Sequence, residues 1–328
     1  MYSKIMTSML DGIRSIPVQA EVDISIGMPA FDMVGFLASE VREAKERVRT
    51  ALHNCGIMLP AKRITVNLSP GNVRKCGTGF DLPIAVALLV ALGFIPAESC
   101  RNRIFTGELN LNGQLLSVRG VLPMVSDGVK NGGKEFIVPA ENLKESRLVQ
   151  QAVVKGFHSL PDVIRYLKDE SYEEPVIGGK GKEKRNRPLD FSEVNGQGFL
   201  KRAAEIAAAG MHNMLMVGPP GAGKTMISER LSTILPPLTE EEKQEVSKIY
   251  SVCGLMGDSD TLLTERPFRS PHHTISAAGL AGGGMYIRPG EVSLAHNGVL
   301  FLDELTEFSK STLEILRQPL EEHQIHLT

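Results

Sequence analysis

Two short motifs in this 328-residue sequence combine residue types that favour phosphate chemistry. The first, GPPGAGKT, occupies positions 218–225 and fits the pattern G-x-x-x-x-G-K-[ST]. Its glycines let backbone N–H groups turn toward phosphate oxygens, while the lysine reaches the β- and γ-phosphates and the threonine hydroxyl ligates Mg²⁺. We therefore predict a phosphate-binding loop made of Gly218, Pro219, Pro220, Gly221, Ala222, Gly223, Lys224 and Thr225.

The second motif, GVLFLDE at positions 298–304, is an apolar run that ends in two carboxylates. We predict that Asp303 holds Mg²⁺ through water and that Glu304 polarises the attacking water. Alone, such a pair is equally typical of the start of a helix. Together with the loop it predicts Mg²⁺-dependent nucleotide hydrolysis, with Lys224, Asp303 and Glu304 as catalytic residues and Thr225 and Asp303 as metal-binding residues.

The elements around these motifs must hold them together. The apolar runs Met214–Val217 and Val299–Leu302 predict two buried strands, and the stretch Thr225–Leu235 predicts the helix that follows the loop. A further helix is predicted to end near Gly210. Strands that are apolar throughout and interleaved with helices indicate a parallel α/β sheet covered on both faces.

The first half of the chain predicts a separate mixture of strands and helices. Alternation over 18–26 and over 64–68 predicts half-buried strands, and 84–92 reads as a buried helix. Ser39 is predicted to cap a helix, and 103–109 with 115–118 to form a hairpin. The apolar stripe of the capped helix comprises Val41, Ala44, Val48, Ala51 and Leu52.

A charged stretch divides the chain. We predict domains at 1–168 and 191–328, joined by a linker at 169–190. The linker holds Lys180, Lys182, Lys184, Arg185 and Arg187, which suit either a solvated tether or a contact with phosphate backbone.

Composition excludes several classes of protein. The chain is 42% hydrophobic and 23% charged with a net charge of -2, so it is neither disordered nor broadly basic. Its four widely spaced cysteines favour free thiols over structural zinc. The uncharged stretch 82–97 is shorter than a membrane span, and the N-terminus lacks a signal-peptide pattern. We expect a cytoplasmic protein with no membrane contact.

Several segments resemble one family. FSEVNGQ (191–197), AAEIAAAGMHN (203–213), RPFRSPHHTIS (266–276) and RPGEVSLAHNGVLFLDE (288–304) are similar to magnesium-chelatase-type AAA+ ATPases. The N-terminal segments EVDISIGMPAFDMVG, PAKRITVNLSPGNVRK and RGVLPM extend the resemblance to the bacterial group named for YifB and the competence protein ComM.

The resemblance implies an ATP-fuelled ring, usually of six subunits, that uses Mg²⁺ and acts on single-stranded or branched DNA. ComM-type members are implicated in helicase-like branch migration during natural transformation. The family places FSEVNGQ beside the adenine, which points to Val194 and Gly196 as nucleotide-binding residues. Ordinary packing is the alternative for both.

Two further segments leave alternatives open. The first has two alternative roles for Arg266, Arg269, His272 and His273. These residues suit a subunit interface or a nucleotide contact, or else a plain capping and loop role. The two histidines are adjacent, and adjacent histidines on a helix cannot easily share a metal. The glycine-rich stretch 279–290 suggests a pore loop in which Tyr286 stacks on bases and Arg288 meets phosphate.

The N-terminal domain also resembles the proteolytic domain of Lon, through TGELNLNG, RGVLPM and FIVPAEN. The two resemblances together imply an α/β protein: a Lon-protease-like (ribosomal S5 domain 2-like) α+β domain followed by a truncated P-loop AAA+ parallel-sheet domain. Lon's catalytic serine falls at about Gly79 or Phe80 and its lysine at about Leu122, so both are missing. Cys76 is a conceivable nucleophile without an assigned base. We interpret the domain as a platform that guides substrate or DNA.

In the family, a sensor strand, an arginine finger and a helical lid follow later in the sequence. We therefore expect this 328-residue chain to bind nucleotide but to hydrolyse it slowly and to assemble poorly. Two rival functions remain: a magnesium-chelatase subunit that inserts metal into a porphyrin, and a nucleotide-binding scaffold. The extra N-terminal domain argues against the first.

Overall fold

The computed structural model describes residues 1–169, 189–256, 261–284, 288–322 and 324–325. These residues divide into two compact units, one within 1–169 and the other after position 188. Most of the predicted linker, including its basic cluster, lies outside the described residues, as does Tyr286.

A mixed sheet forms the framework of the first unit. Its described strands follow the order β3-β4-β2-β1-β5-β8-β9, and β6 pairs with β7 in a separate hairpin. Only β2 runs against its two neighbours, so the sheet is mainly parallel. The strands are β1 (Tyr2–Asp11), β2 (Arg14–Ser25), β3 (Ala30–Val34), β4 (Arg63–Ser69), β5 (Arg103–Phe105), β6 (Glu108–Leu109), β7 (Leu115–Leu116), β8 (Glu135–Pro139) and β9 (Val153–Phe157).

Helices cover both faces of this sheet. Ile137 of β8 packs into one apolar cluster, whereas its neighbours Phe136 and Val138 pack into a second, because successive strand residues point to opposite faces. Helix α3 lies almost wholly in the first cluster, and α4 contributes Val121 and Val125 to the second. The helices are α1 (Ser39–Arg42), α2 (Ala44–Asn54), α3 (Asp81–Ala91), α4 (Val121–Lys130), α5 (Leu143–Ser146) and α6 (Leu160–Leu167).

A buried ion pair joins α2 to α3. The guanidinium of Arg47 donates from Nε and Nη2 to the carboxylate of Asp81 at 2.7 and 2.9 Å, and the amide of Leu109 donates to the same carboxylate at 3.1 Å. The Asp81 side chain is fully buried. Desolvation by this burial raises the pKa of Asp81 to about 6, although Arg47 and the Leu109 amide favour its charged form.

Most elements predicted for the first unit are confirmed, with local corrections. The stripe from Val41 to Leu52 is buried, and the hairpin forms between β6 and β7. Ser39 does not cap the helix: Ala38 holds the N-cap position, and the helix is interrupted at Glu43. Ile26 is 96% exposed because β2 ends one residue earlier.

The second unit consists mainly of helices. Strand β10 pairs with β13 in parallel and β11 pairs with β12 in antiparallel fashion. Its helices are α7 (Gly198–Gly210), α8 (Lys224–Leu231), α9 (Glu240–Cys253), α10 (Ala277–Ala281), α11 (Glu291–Leu294), α12 (Lys310–Glu314) and α13 (Arg317–Glu322). Its strands are β10 (Phe268–Arg269), β11 (Gly282–Gly283), β12 (Arg288–Pro289) and β13 (Val299–Leu300).

Only part of the predicted sheet of this unit forms among the described residues. The run Met214–Val217 forms no strand, and its Leu215 and Val217 are 75% and 91% exposed. An apolar run becomes a buried strand only when neighbouring strands flank it, and no strand among the described residues pairs with this one. The run 299–302 is a strand only over Val299–Leu300.

No helix in the described part of the chain is both long enough and apolar enough to cross a membrane.

Candidate functional site

The predicted phosphate loop turns tightly into the start of α8. Gly221 and Gly223 both have φ of +78°, a left-handed conformation that side chains disfavour. The Lys224 ammonium donates to the carbonyl oxygens of Gly218 and Pro219 at 2.8 and 3.0 Å. The loop thus folds around its lysine at a helix N-terminus, a geometry suited to exchanging these carbonyl contacts for phosphate oxygens.

The acidic pair reaches this loop from a strand. The backbone follows β13 to Asp303, whose Oδ2 accepts a hydrogen bond from the Thr225 hydroxyl at 3.3 Å. Residues 78 positions apart in sequence therefore meet. A hydroxyl and a carboxylate are oxygen ligands of the kind Mg²⁺ prefers, so Thr225 and Asp303 fit the metal predicted for them.

Glu304 occupies a constrained position beside the loop. Its backbone has φ of +50°, an uncommon conformation for a residue with a side chain. The amide of Glu304 donates to Oδ1 of Asp303 at 3.0 Å, and its carbonyl accepts from the Glu307 amide at 2.8 Å. Its carboxylate Oε2 lies 3.7 Å from Nδ1 of His273. Lys224, Thr225, Asp303 and Glu304 thus lie on the loop and on the segment that meets it.

The two residues predicted beside the adenine differ in their surroundings. Val194 is 3% exposed and packs with Phe191, Ala204 and Ile227, the last on α8. Gly196 has φ of +69°, with open space where a Cβ would lie. The packing role considered for Val194 is therefore present in the structure.

Gln197, which the sequence did not single out, contacts the loop directly. Its side-chain amide donates to the carbonyl of Ala222 at 2.8 Å. A Cβ built on Gly223 would lie 3.2 Å from the Gln197 Nε2, so the glycine also makes room for this amide. Nearby, Glu193 accepts two hydrogen bonds from Arg230 of α8, at 3.1 and 2.7 Å. The FSEVNGQ segment is thus fastened to both the loop and its helix.

The arginines of RPFRSPHHTIS serve the framework. Arg266 is 6% exposed and donates to the carbonyls of Pro236 and Asn297 and to the Glu242 carboxylate. Arg269 donates twice to Glu291, at 2.6 and 2.7 Å. Both arginines thus make contacts that fit the capping and loop role, and the alternative role at a subunit interface or a nucleotide stays a prediction.

The two histidines of the same segment contact different partners. His272 Nδ1 lies 2.9 Å from the Thr274 hydroxyl, while His273 turns to Glu304. Sequence reasoning missed the His273 contact, because only the tertiary pairing of β10 with β13 reveals it. Arg288, the second predicted pore residue, is exposed on β12.

The Lon-like active-site positions are closed in the first unit. A Cβ on Gly79 would lie 2.9 Å from the Thr106 hydroxyl oxygen, and Leu122 is 3% exposed on α4. Cys76 is exposed, and desolvation raises the pKa of its thiol, which disfavours the nucleophilic thiolate. These positions thus contain neither a Ser-Lys pair nor an activated cysteine.

A glycine-rich loop around a lysine, with a hydroxyl and a carboxylate meeting beside it, is typical of the P-loop class of proteins. Sequence comparison gives the family. Residues 190–328 match the family described as "Magnesium chelatase, subunit ChlI", and residues 20–142 match "Subunit ChlI of Mg-chelatase". The chain belongs to the magnesium-chelatase-like family, in the group of YifB and ComM, and this family is of the AAA+ ATPase type.

Named relatives extend along almost the whole chain. It is 43% identical to the uncharacterized protein YifB of Salmonella typhimurium, over 97% of this chain and 62% of that protein. It is 42% identical to competence protein ComM of Haemophilus influenzae, over 96% of this chain and 62% of ComM. The chain thus spans about 62% of the length of these curated relatives.

A more distant similarity links part of the chain to Lon. The chain is 28% identical to Lon protease 2 of Bacillus subtilis, over 38% of its own length and 23% of that protein. The resemblance to Lon is confirmed to this extent.

Proposed function

We propose that this chain is a Mg²⁺-ATP-binding subunit of an AAA+ motor that hydrolyses ATP to remodel DNA. The observation that carries the proposal is the 3.3 Å contact between Thr225 Oγ1 and Asp303 Oδ2, beside the loop that encloses Lys224. Family membership favours this use of the site, because the family implies nucleotide and Mg²⁺. In the proposed reaction Lys224 binds the β- and γ-phosphates, Thr225 and Asp303 hold the metal, and Glu304 polarises the attacking water.

The DNA and the ring are further parts of the proposal. One relative is named competence protein ComM, which supports a role in competence. We propose single-stranded or branched DNA as the substrate in such a role. Exposed Arg288 supports contact with a phosphate backbone. The proposed assembly is a homo-oligomeric ring of six subunits, in which neighbouring chains complete each nucleotide site.

The test measures ATP hydrolysis by the 328-residue chain with Mg²⁺ and with forked DNA, single-stranded DNA or no DNA. We expect ATP binding in all three, and slow hydrolysis whose rate rises with at least one DNA. Glu304→Gln should retain ATP affinity and lose about 10²- to 10⁴-fold in rate, because it removes the group that polarises water. Arg288→Ala should weaken DNA binding and its salt dependence without changing ATP affinity.

Absence of ATP binding in the folded wild type would refute the proposal. Binding without hydrolysis, at a rate equal to that of Glu304→Gln, would instead indicate the nucleotide-binding scaffold.

The magnesium-chelatase alternative is retained because both matching families are named for a subunit of that enzyme. Its test adds protoporphyrin and Mg²⁺ to the same reaction and follows porphyrin fluorescence. Under our proposal, ATP hydrolysis responds to DNA, and the porphyrin has no effect on the rate and acquires no metal.

A further inference from the structure

His273 and Glu304 lie in turns that follow two short paired strands. Phe268 pairs with Val299 and Arg269 pairs with Leu300, in parallel, and the two strands end at Arg269 and Leu300. Four residues beyond each strand end, His273 Nδ1 lies 3.7 Å from Glu304 Oε2. The pairing of β10 with β13 thus brings the two segments together, and the turns that follow bring the two side chains into contact.

The Glu304 backbone is held by hydrogen bonds, whereas its side chain is 68% exposed and makes one ion-pair contact within the described residues. The left-handed conformation of Glu304 is secured by its hydrogen bonds with Asp303 and Glu307. Within the described residues, its carboxylate accepts no hydrogen bond, and its one ion-pair contact is His273. Strained backbone held by its surroundings is a feature of functional sites, where it fixes the direction of a side chain.

The His273 ring is itself supported. Its centroid lies 4.0 Å from that of His272 and 6.4 Å from that of Phe308, which it meets edge to face. Phe308 is 5% exposed, and its burial limits the movement of the ring packed against it. His273 therefore approaches Glu304 from a restrained position.

We infer that His273 is a positioning residue for Glu304. The Nδ1–H of His273 donates to the Glu304 carboxylate and aims it at the attacking water. The inference rests on the proposed ATP hydrolysis. A base oriented by a third group is a recurring arrangement in hydrolytic sites, and such contacts shorten when the substrate binds. His273 itself touches neither the phosphate nor the water.

The test measures single-turnover ATP hydrolysis with excess protein, which resolves slow rates, together with ATP affinity. We expect His273→Ala to lower the maximal rate by about 10- to 100-fold, as the loss of other orienting partners does, with ATP affinity changed less than about twofold. His273→Asn should recover much of this rate, because its amide places an N–H near the same point.

The matched control is His296→Ala. It also removes an imidazole–carboxylate contact in the second unit, between His296 Nε2 and Glu245 Oε2 at 3.1 Å, but involves no predicted site residue. We expect the wild-type rate from it. Circular dichroism under urea checks that all variants are folded.

Each result has a distinct meaning. An unchanged or increased rate in His273→Ala, with a wild type that binds and hydrolyses ATP, overturns the inference alone. If His273→Ala and His273→Asn lose the same amount of hydrolysis rate and both unfold at a lower urea concentration, His273 has a structural role. That result also overturns the inference. If the wild type and Lys224→Ala fail alike to bind ATP, the proposed function fails, and the inference with it.

Discussion

In the first unit, a seven-stranded sheet carries an apolar cluster on each face, counted over the described residues. In the second unit, the described strands are two residues long, and Leu215 and Val217 beside the phosphate loop are exposed. The candidate catalytic positions show the opposite difference between the two units. Gly79 and Leu122 of the first unit form no catalytic pair, whereas Lys224, Thr225 and Asp303 of the second converge.

This contrast teaches that a site and a framework can be specified separately. The phosphate loop depends on left-handed glycines and a helix start, which are local, and one short parallel pairing leads toward the acidic pair. The framework of the first unit depends on side chains that fill both faces of a sheet. Substitutions should therefore separate stability in the first unit from ligand binding in the second.

The largest effect should come from the buried ion pair of the first unit. Arg47→Ala leaves the Asp81 carboxylate buried without its cation, which should lower the free energy of unfolding by about 3–5 kcal/mol. Hydrogen exchange of α2 and α3 amides measures the loss. The control is Arg49→Ala, an exposed arginine on the same helix. Equal exchange in both variants would show that the pair contributes nothing to the framework.

The next effect should be confined to ligand binding. Lys224→Ala removes the ammonium that we propose binds the β- and γ-phosphates, and we expect ATP affinity in the presence of Mg²⁺ to fall about 100-fold. Titration with a fluorescent ATP analogue measures this change, with Lys201→Ala of α7 as the control. A loss of folding in place of affinity would contradict the separation of site from framework.

The smallest effect should come from restoring a serine to the Lon-like position. Gly79→Ser places a Cβ 2.9 Å from the Thr106 hydroxyl oxygen, which should lower the free energy of unfolding by about 1–2 kcal/mol. We expect no peptidase activity on casein, because Leu122 supplies no base. Gly71→Ser, at a position with open space, serves as the control in urea unfolding. Casein cleavage by Gly79→Ser would refute the view that this site is closed.

Local patterns in the sequence predicted much of the first unit. The alternation of apolar and polar residues predicted β2 and β4 because, in both strands, residues that alternate along the sequence are also buried in alternation. The predicted cap at Ser39 was wrong because the last residue with extended backbone before the helix is Ala38, so Ser39 is already the first helical residue. The strand at 214–217 failed because an apolar run does not reveal whether other strands will flank it.

In the candidate site too, local features were predictable from the sequence and contacts between distant segments were not. The loop motif predicted the turn at Gly221 and Gly223, since the turn is encoded in eight consecutive positions. The assignment of Lys224 to phosphate stays a prediction. The contacts of Gln197 with Ala222 and of His273 with Glu304 join distant segments, so no single stretch encodes them. Val194 was predicted beside a base from the family resemblance, and its burial shows a packing role as well.

Arg266 connects the start of one helix to the approach of the acidic pair. Thr239 and Glu242 cap α9 reciprocally, and the Glu242 carboxylate also accepts a hydrogen bond from Arg266 at 3.1 Å. The same guanidinium donates to the carbonyl of Asn297 at 2.7 Å, two residues before β13. A force that pulled α9 outward would therefore have to break this junction or drag the strand leading to Asp303 along with it.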